Sequence, residues 1–446
     1  MRKRTYVLPF TLICLLAGAV SVPANHSNAQ PAIHVSPETA LIDEPVRIHL
    51  TGLAADESVT VRATTTDSTG RNWRSHAEFK ANKDGAVDLS KQAPVAGTYS
   101  GVDAMGLFWS MDLIAGSQQA PAAQNTPQQV RVMSFEVEVA GKIVATTSIT
   151  RLLVGDGVKS VDVRENGLVA KFFEPAKGGP FPAIMVLGGS EGGIRSAESR
   201  AGLLASHGYA ALAVAYFGME GLPQRLVSIP IEYLKKALDW MASQKNVDRK
   251  RLAVMGGSKG GELALLLASY FPELKAVVAY VPSSVAWPAI GGTGPSWTYQ
   301  DKPVTYLPYK SGSMPSSKNG AMVLMPLYLA SFDDQEAAKN ASIAVEKING
   351  SVLLISGKDD QLWPSSVMGD MVIARLKEKK HRFKYEHLSY DKAGHAIGTP
   401  YNPTTRSTSG GTLVLGGTAE NNALAQADSW PKVLRFLKDN LTNRKQ

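Results

Sequence analysis

Arg251-Leu252-Ala253-Val254-Met255-Gly256-Gly257-Ser258-Lys259-Gly260-Gly261-Glu262-Leu263-Ala264-Leu265-Leu266-Leu267-Ala268 is the stretch on which the fold turns. Arg251 to Met255 reads as a short buried strand and Glu262 to Ala268 as a buried helix. Between them, Gly256 to Gly260 fits the G-x-S-x-G pattern of a nucleophile elbow. A strand turning sharply into a helix holds a serine in a strained conformation with its hydroxyl exposed. The helix N-terminus then directs partial positive charge to where an oxyanion would form. A bare G-x-S-x-G is common in glycine-rich chains; strand before and helix after give it meaning.

Outward from the elbow, residues 161–446 alternate apolar strands with helices. Leu168–Phe173, Ala183–Leu187, Ala210–Ala215, Ala276–Val281, Val352–Ser356 and Phe383–Leu388 read as strands. Ser199–His207, Ile229–Gln244 and Ser429–Leu441 read as helices. Such alternation predicts a doubly wound, mostly parallel sheet, and with the elbow it is the arrangement of an α/β-hydrolase. Residues 283–345 interrupt the pattern with Trp287, Trp297, Tyr299, Tyr306 and Tyr309 among prolines and glycines. An insertion there is expected to form a cap above the site.

Residues 32–160 read differently. Val46–Leu50, Val59–Ala63 and Phe135–Val139 alternate apolar and polar positions, and Ala145–Thr150 is rich in β-branched residues. Turn clusters separate them, so an all-β sandwich is expected to precede the α/β domain. Ser117–Gln129, rich in Gln, Ala and Pro, reads as an exposed loop.

A serine hydroxyl is a weak nucleophile and needs a base, and the base needs an orienting acid. In this fold the chain order is serine, acid, histidine. Strand Val352–Ser356 ends in Gly357-Lys358-Asp359-Asp360, which makes Asp360 the first choice for the acid and Asp359 its rival. The base is expected in a loop after the following strand, where Gly394-His395 stands. The other histidines fit less well: His34, His49 and His76 lie in the β domain, His207 at a helix end, His387 inside a strand. His381 beside Lys377-Glu378-Lys379-Lys380 reads as solvated surface, and His26 lies in or beside the amino-terminal signal. One oxyanion donor is expected at the N–H of Lys259. A second is expected from Gly188-Gly189-Ser190-Glu191-Gly192-Gly193, at Ser190 or Glu191. No cofactor is called for: the histidines lack metal-ligand spacing and no nucleotide fingerprint appears.

Apolar residues make up 44% of the 446 and charged residues 19%, a globular balance for two domains. The net charge is +8, of which Arg2, Lys3 and Arg4 supply three, leaving about +5 beyond them. No basic run interleaves with aromatics, which argues against a nucleic-acid partner. Arg2-Lys3-Arg4, the apolar run Tyr6–Val20 and small-residue sites ending at Ala24 and Ala29 read as a cleavable export signal over residues 1–29. The competing reading is an uncleaved membrane anchor, which the short apolar run and Pro23 disfavour. Cys14, the single cysteine, falls inside the signal, so a mature chain would have neither disulfide nor cysteine nucleophile.

The assembled motifs resemble the acyl-CoA thioesterases related to bile acid-CoA:amino acid N-acyltransferase. Tyr99-Ser100-Gly101-Val102-Asp103-Ala104-Met105-Gly106-Leu107-Phe108-Trp109-Ser110-Met111 is similar to that family's hallmark in its β-sandwich. Gly256–Gly261 is similar to its elbow, Gly357–Asp360 to its acid loop, Gly394-His395 to its base loop and Gly398–Tyr401 to the stretch after it. The resemblance implies thioester hydrolysis through an acyl-serine: Ser258 attacks, His395 moves the proton, Asp360 orients it. It also implies that the conjugating branch carries cysteine where Ser258 stands, so serine points to transfer to water. Family members acting on acyl-CoA are intracellular, whereas the amino terminus here reads as an export signal and no peroxisomal tripeptide stands at Asn443-Arg444-Lys445-Gln446. Two alternatives therefore stay open: an exported carboxylesterase or dienelactone-type hydrolase on non-CoA esters, and a non-catalytic binding protein. Trp109 is expected to be core.

Overall fold

The structure is a computed structural model that describes residues 1, 30–116, 130–290 and 292–441. The signal reading, Cys14 and the loop expected at Ser117–Gln129 lie outside the described residues.

Eight strands form the principal sheet: β1 (Lys159–Val163), β2 (Ala170–Glu174), β3 (Phe181–Leu187), β4 (Ala210–Val214), β5 (Val247–Gly257), β6 (Leu274–Tyr280), β7 (Ser351–Gly357) and β8 (Tyr385–Tyr390). Their order is β1-β2-β4-β3-β5-β6-β7-β8. The β1–β2 and β2–β4 pairs are antiparallel and the other five parallel. Parallel neighbours need crossovers, and four helices lie in them: α1 (Arg195–Ser206), α2 (Ile231–Ser243), α3 (Lys259–Tyr270) and α4 (Ser365–Glu378), while α5 (Ala419–Leu441) follows the last strand. Both faces are covered, so β6 and β7 are buried along almost their whole length, as their apolar runs require.

One face of the sheet packs with α2 and α3, the other with α1 and α5. Because β3, β5, β7 and β8 run in parallel, their carboxyl ends lie along one rim. Leu187 pairs with Gly256, and Gly357 with Tyr390. The glycine loop, the elbow, the acid loop and the base loop all leave from that rim.

Two helices depart from the sequence reading. The terminal helix begins at Ala419, ten residues before Ser429, and α4 was not anticipated. The 283–345 segment contains helices at Met325–Ser331 and Gln335–Ala341 besides short strands.

Before the principal sheet, a three-stranded and a seven-stranded sheet share one core built from alternating positions such as Val59, Val61 and Ala63. The Tyr99–Met111 stretch is part of this core and also its joint to the part that holds the principal sheet. Trp109 is buried, and its indole N–H donates to Asp103 Oδ2 at 2.7 Å. Its carbonyl accepts from the N–H of Thr404 at 2.9 Å, and the carbonyl of Met111 accepts from Thr405 Oγ1 at 2.6 Å. The β-sandwich thus grips the chain shortly after the Gly394-His395 loop.

A second joint is electrostatic. Asp43 from the sandwich accepts from Trp430 Nε1 of α5 at 2.6 Å and meets His207 Nε2, at the end of α1, at 2.6 Å. Burial disfavours the charged ring, but the hydrogen bond and charge of Asp43, with the charge of Glu44, outweigh it and raise the His207 pKa. A raised folded-state value contributes stability that is fully present below the unfolded value, near 6.5, and is lost as pH rises through the folded value. Melting temperature is therefore expected to fall with rising pH across that window in the wild type and to fall less in His207→Gln. An equal fall in both proteins would show that the joint is not the cause.

Candidate active site

Ser258 sits between β5 and α3 at φ 56°, ψ −125°, a strained position for a non-glycine residue. Its N–H donates to the carbonyl of Tyr280 at 3.0 Å, and its carbonyl accepts from the N–H groups of Gly261 and Glu262 at 2.8 and 3.0 Å. The turn closes only because neighbouring side chains are missing. A Cβ on Gly256 would stand 2.0 Å from the Gly260 carbonyl oxygen, backbone that cannot swing aside. Gly256→Ala is expected to cost about 2–4 kcal/mol, read as a melting temperature lower by about 5 °C or more. A variant melting with the wild type would show the elbow to be looser than its geometry.

His395 Nε2 lies 2.9 Å from Ser258 Oγ, and His395 Nδ1 lies 2.8 Å from Asp360 Oδ2. The two adjacent acids have separate partners. Asp360 is buried; its Oδ2 also accepts from Ser365 Oγ at 2.6 Å, and its Oδ1 from the N–H groups of Leu362 and Trp363 at 3.0 and 3.2 Å. These donors aim the carboxylate at the imidazole. Asp359 faces elsewhere, accepting from Gln361 Nε2 at 2.6 Å and from the Gly417 N–H at 2.9 Å.

The Gly394-His395 loop is fixed from α5. Asn422 Oδ1 accepts from the N–H of Gly394 at 2.8 Å, and Gln426 Nε2 donates to the carbonyl of Ala396 at 3.0 Å. The N–H of His395 itself donates to the carbonyl of Leu415 at 2.8 Å. Trp363 meets the imidazole edge-on, ring centres 5.8 Å apart, and links it to Tyr328 of the 283–345 segment, again at 5.8 Å.

Gly189 of the glycine loop stands against Ser258. A Cβ there would lie 3.2 Å from Ser258 Cβ and 2.8 Å from Glu191 Oε2. The N–H of Gly189 is occupied, donating to Glu191 Oε1 at 3.1 Å, and Ser196 Oγ donates to the same oxygen. Ser190 and Glu191 are themselves exposed. Among the described residues, the N–H groups of Ser190, Glu191 and Lys259 donate to no protein acceptor. Tyr216 supports the loop from below, its hydroxyl donating to the Gly188 carbonyl at 2.7 Å. Burial, with the charges of Glu191 and Glu262, raises its pKa far above the ordinary value and keeps that hydroxyl a donor.

A second serine–histidine–aspartate string provides an internal comparison. Ser356 Oγ lies 2.7 Å from His387 Nε2, and His387 Nδ1 lies 2.9 Å from Asp370 Oδ1. Ser356, however, is inside β7 and 0% exposed, with no elbow. Burial, the largest influence, lowers the His387 pKa. The arrangement satisfies buried polar groups and presents no nucleophile. Ser356→Ala is expected to change kcat by less than about threefold while costing about 1–2 kcal/mol of stability. A loss of activity like that of Ser258→Ala would contradict this assignment. His381, expected at the surface, is half-buried against Phe383 and Tyr385, with Nε2 3.0 Å from the Gly350 carbonyl.

Among the described residues no group of histidine, cysteine, aspartate or glutamate side chains is placed to hold a metal ion. No described helix is long and apolar enough to cross a membrane.

Comparison with known proteins matches the two parts separately. The family model described as acyl-CoA thioester hydrolase/BAAT N-terminal region matches residues 43–165. The one described as BAAT / acyl-CoA thioester hydrolase C terminal matches residues 229–443. Acyl-coenzyme A thioesterase 1 of Mus musculus is 31% identical over 405 residues, covering 88% of this chain and 93% of its own. Acyl-coenzyme A amino acid N-acyltransferase 1 of Mus musculus is 32% identical over 419 residues, covering 91% and 97%. A solved dienelactone hydrolase-like promiscuous phosphotriesterase from metagenomic libraries aligns with a TM-score of 0.42 at 19% identity, over 64% of this chain and 100% of its own. With both parts of one architecture matched in order and relatives aligned along nearly the whole chain, this protein is a hydrolase that belongs to the acyl-CoA thioester hydrolase/BAAT family.

Proposed function

We propose that the chain hydrolyses acyl-CoA-type thioesters through an acyl-serine intermediate on Ser258. The observation that carries this reading is the unbroken hydrogen-bonded run Ser258–His395–Asp360 at a strained elbow. Ser258 Oγ attacks the thioester carbonyl carbon while its proton passes to His395 Nε2. The carbonyl oxygen becomes an oxyanion, received by the N–H of Lys259 and an N–H of the Ser190-Glu191 turn. Collapse breaks the carbon–sulfur bond, and the departing thiolate takes the proton from His395. Water then attacks the acyl-serine, giving up a proton to His395, which returns it to Ser258 Oγ as the carboxylic acid leaves. The relatives named as acyl-coenzyme A thioesterases support a CoA thioester as substrate. Serine at position 258 favours water over an amine as acceptor, because the resemblance implies cysteine there in the conjugating branch.

The 283–345 segment is read as a cap. Trp287 and Tyr328 pack together with Trp363, beside the base, and close this flank of the site with apolar rings. Residues 1–29 are read as a cleaved export signal, tested by the mass of the amino terminus in the cell envelope against the cytosol. That reading favours a second substrate class, non-CoA carboxylic esters.

The test is thiol release from a panel of acyl-CoAs beside hydrolysis of p-nitrophenyl esters, each with wild type and Ser258→Ala. CoA release lost in the variant supports the thioesterase. Ester cleavage lost in the variant with CoA esters untouched keeps the serine and replaces the substrate class. Activity toward neither overturns the proposal.

A further inference from the structure

One turn of α3 beyond the nucleophile, two charged side chains are enclosed completely. Lys259 is 2% exposed and Glu262 0%. Lys259 Nζ donates to both carboxylate oxygens of Glu262, at 2.7 and 2.8 Å. The pair does not stand alone. Trp297 Nε1 donates to Glu262 Oε1 at 2.6 Å, and the N–H of Trp287 reaches the same oxygen at 3.3 Å. Lys259 Nζ lies 5.3 Å from the centre of the Trp297 ring and 3.4 Å from the carbonyl of Trp287. Trp297 in turn meets the ring of Tyr216 at 5.8 Å, and Tyr216 holds the carbonyl of Gly188.

Stability does not explain such a pair. Desolvating two charges offsets much of their attraction, and apolar residues of similar volume usually hold a helix as well or better. Burial accordingly pushes Glu262 up and Lys259 down, each restrained by the other's opposite charge. What an apolar pair could not do is accept the N–H groups of Trp287 and Trp297. Both belong to the segment after β6, and the acceptor belongs to the helix that carries Ser258. Lys259 balances the carboxylate's charge, and its own backbone N–H is an oxyanion donor.

We propose that Glu262, charge-balanced by Lys259, is a positioning residue. Its carboxylate fastens the 283–345 segment to the nucleophile helix and, through Trp297 and Tyr216, aligns that helix with the glycine loop. The inference rests on Ser258 being the nucleophile, not on the identity of the substrate.

The experiment measures the second-order rate of covalent labelling of Ser258 by a fluorophosphonate, which requires no knowledge of the leaving group. Two double variants are compared with the wild type, each with its melting temperature and the acrylamide quenching of its tryptophans. Lys259→Met/Glu262→Leu removes both charges and the acceptor. Lys259→Met/Glu262→Gln removes both charges but keeps an oxygen for Trp287 and Trp297. Labelling is expected to slow about tenfold or more in the first, with increased quenching, because small displacements of an oxyanion donor cost rate steeply. The second is expected to recover most of that loss. Equal rates in the two variants would overturn the proposal, since the acceptor would then make no difference. If the leucine variant does not fold, Trp297→Phe is placed in the glutamine background. A rate lower by about threefold or more supports the fastening role, and an unchanged rate overturns it. An unlabelled wild type would instead overturn the serine mechanism, and this inference with it.

Discussion

Ser258→Ala is expected to lower kcat for thioester or ester hydrolysis by about 10⁴-fold or more, leaving KM within about threefold. The magnitude follows from the covalent route: without Oγ there is no acyl-enzyme, and only the oxyanion donors and binding groups act on the substrate. Ser258 is half-buried and its Oγ bonds only to His395 among the described residues. The alanine variant therefore loses one hydrogen bond and the strain of a hydroxyl-bearing residue at φ 56° remains a backbone matter. Its melting temperature is expected to stay within about 3 °C of the wild type, which separates loss of chemistry from loss of fold. Steady-state kinetics on the substrate class that the parallel panels identify checks this. A variant retaining more than about one hundredth of kcat would place the nucleophile elsewhere.

The second large effect concerns the two neighbouring acids. Asp360→Asn is expected to cost about 10³–10⁴-fold in kcat, and Asp359→Asn less than about fivefold. The asymmetry is geometric. Asp360 Oδ2 stands at His395 Nδ1, and an amide at that position can present its NH₂ to the ring and select the wrong tautomer. Asp359 instead holds the Gly417 N–H and Gln361, so its loss loosens the loop without touching the base. Equal losses in the two variants, at equal melting temperature, would mean that the loop and not a single carboxylate carries the effect.

The residues that form the Ser258–His395–Asp360 run were legible because each is announced by its immediate neighbours. A buried strand, a glycine-flanked serine and a buried helix mark the elbow within twenty residues. A strand ending in Gly357 followed by acids, and a glycine beside His395, mark the other two loops. Distance past the strand made Asp360 the first choice over Asp359, and the fold places Asp360 at the imidazole while Asp359, its neighbour in the turn, points to Gly417.

The supporting residues were hidden for the same physical reason: their signals run against pattern. Asn422 and Gln426 put polar groups on the buried face of α5, where they hold the base loop, so the first half of that helix lacks an apolar stripe. In α4, Met368, Val372 and Leu376 follow helical spacing, but Gly369 interrupts them. The glycine is needed because a Cβ there would lie 2.6 Å from the ring of His387. Glu262 opens the run read as a buried helix, and only the arrival of Trp287 and Trp297 from a distant segment reveals its surroundings. The mostly parallel character of the sheet followed from buried strands alternating with helices. The antiparallel β1 and β2 did not, since strand order depends on which surfaces meet and not on the strands' own composition.

The most direct measurement is peptide mass mapping of enzyme mixed with an acyl-CoA and acid-quenched within milliseconds. The account predicts an adduct of the acyl mass on the peptide containing Ser258, with one free CoA formed per adduct in the first turnover. Release of CoA without any adduct on that peptide, at a rate that Ser258→Ala leaves unchanged, would contradict it.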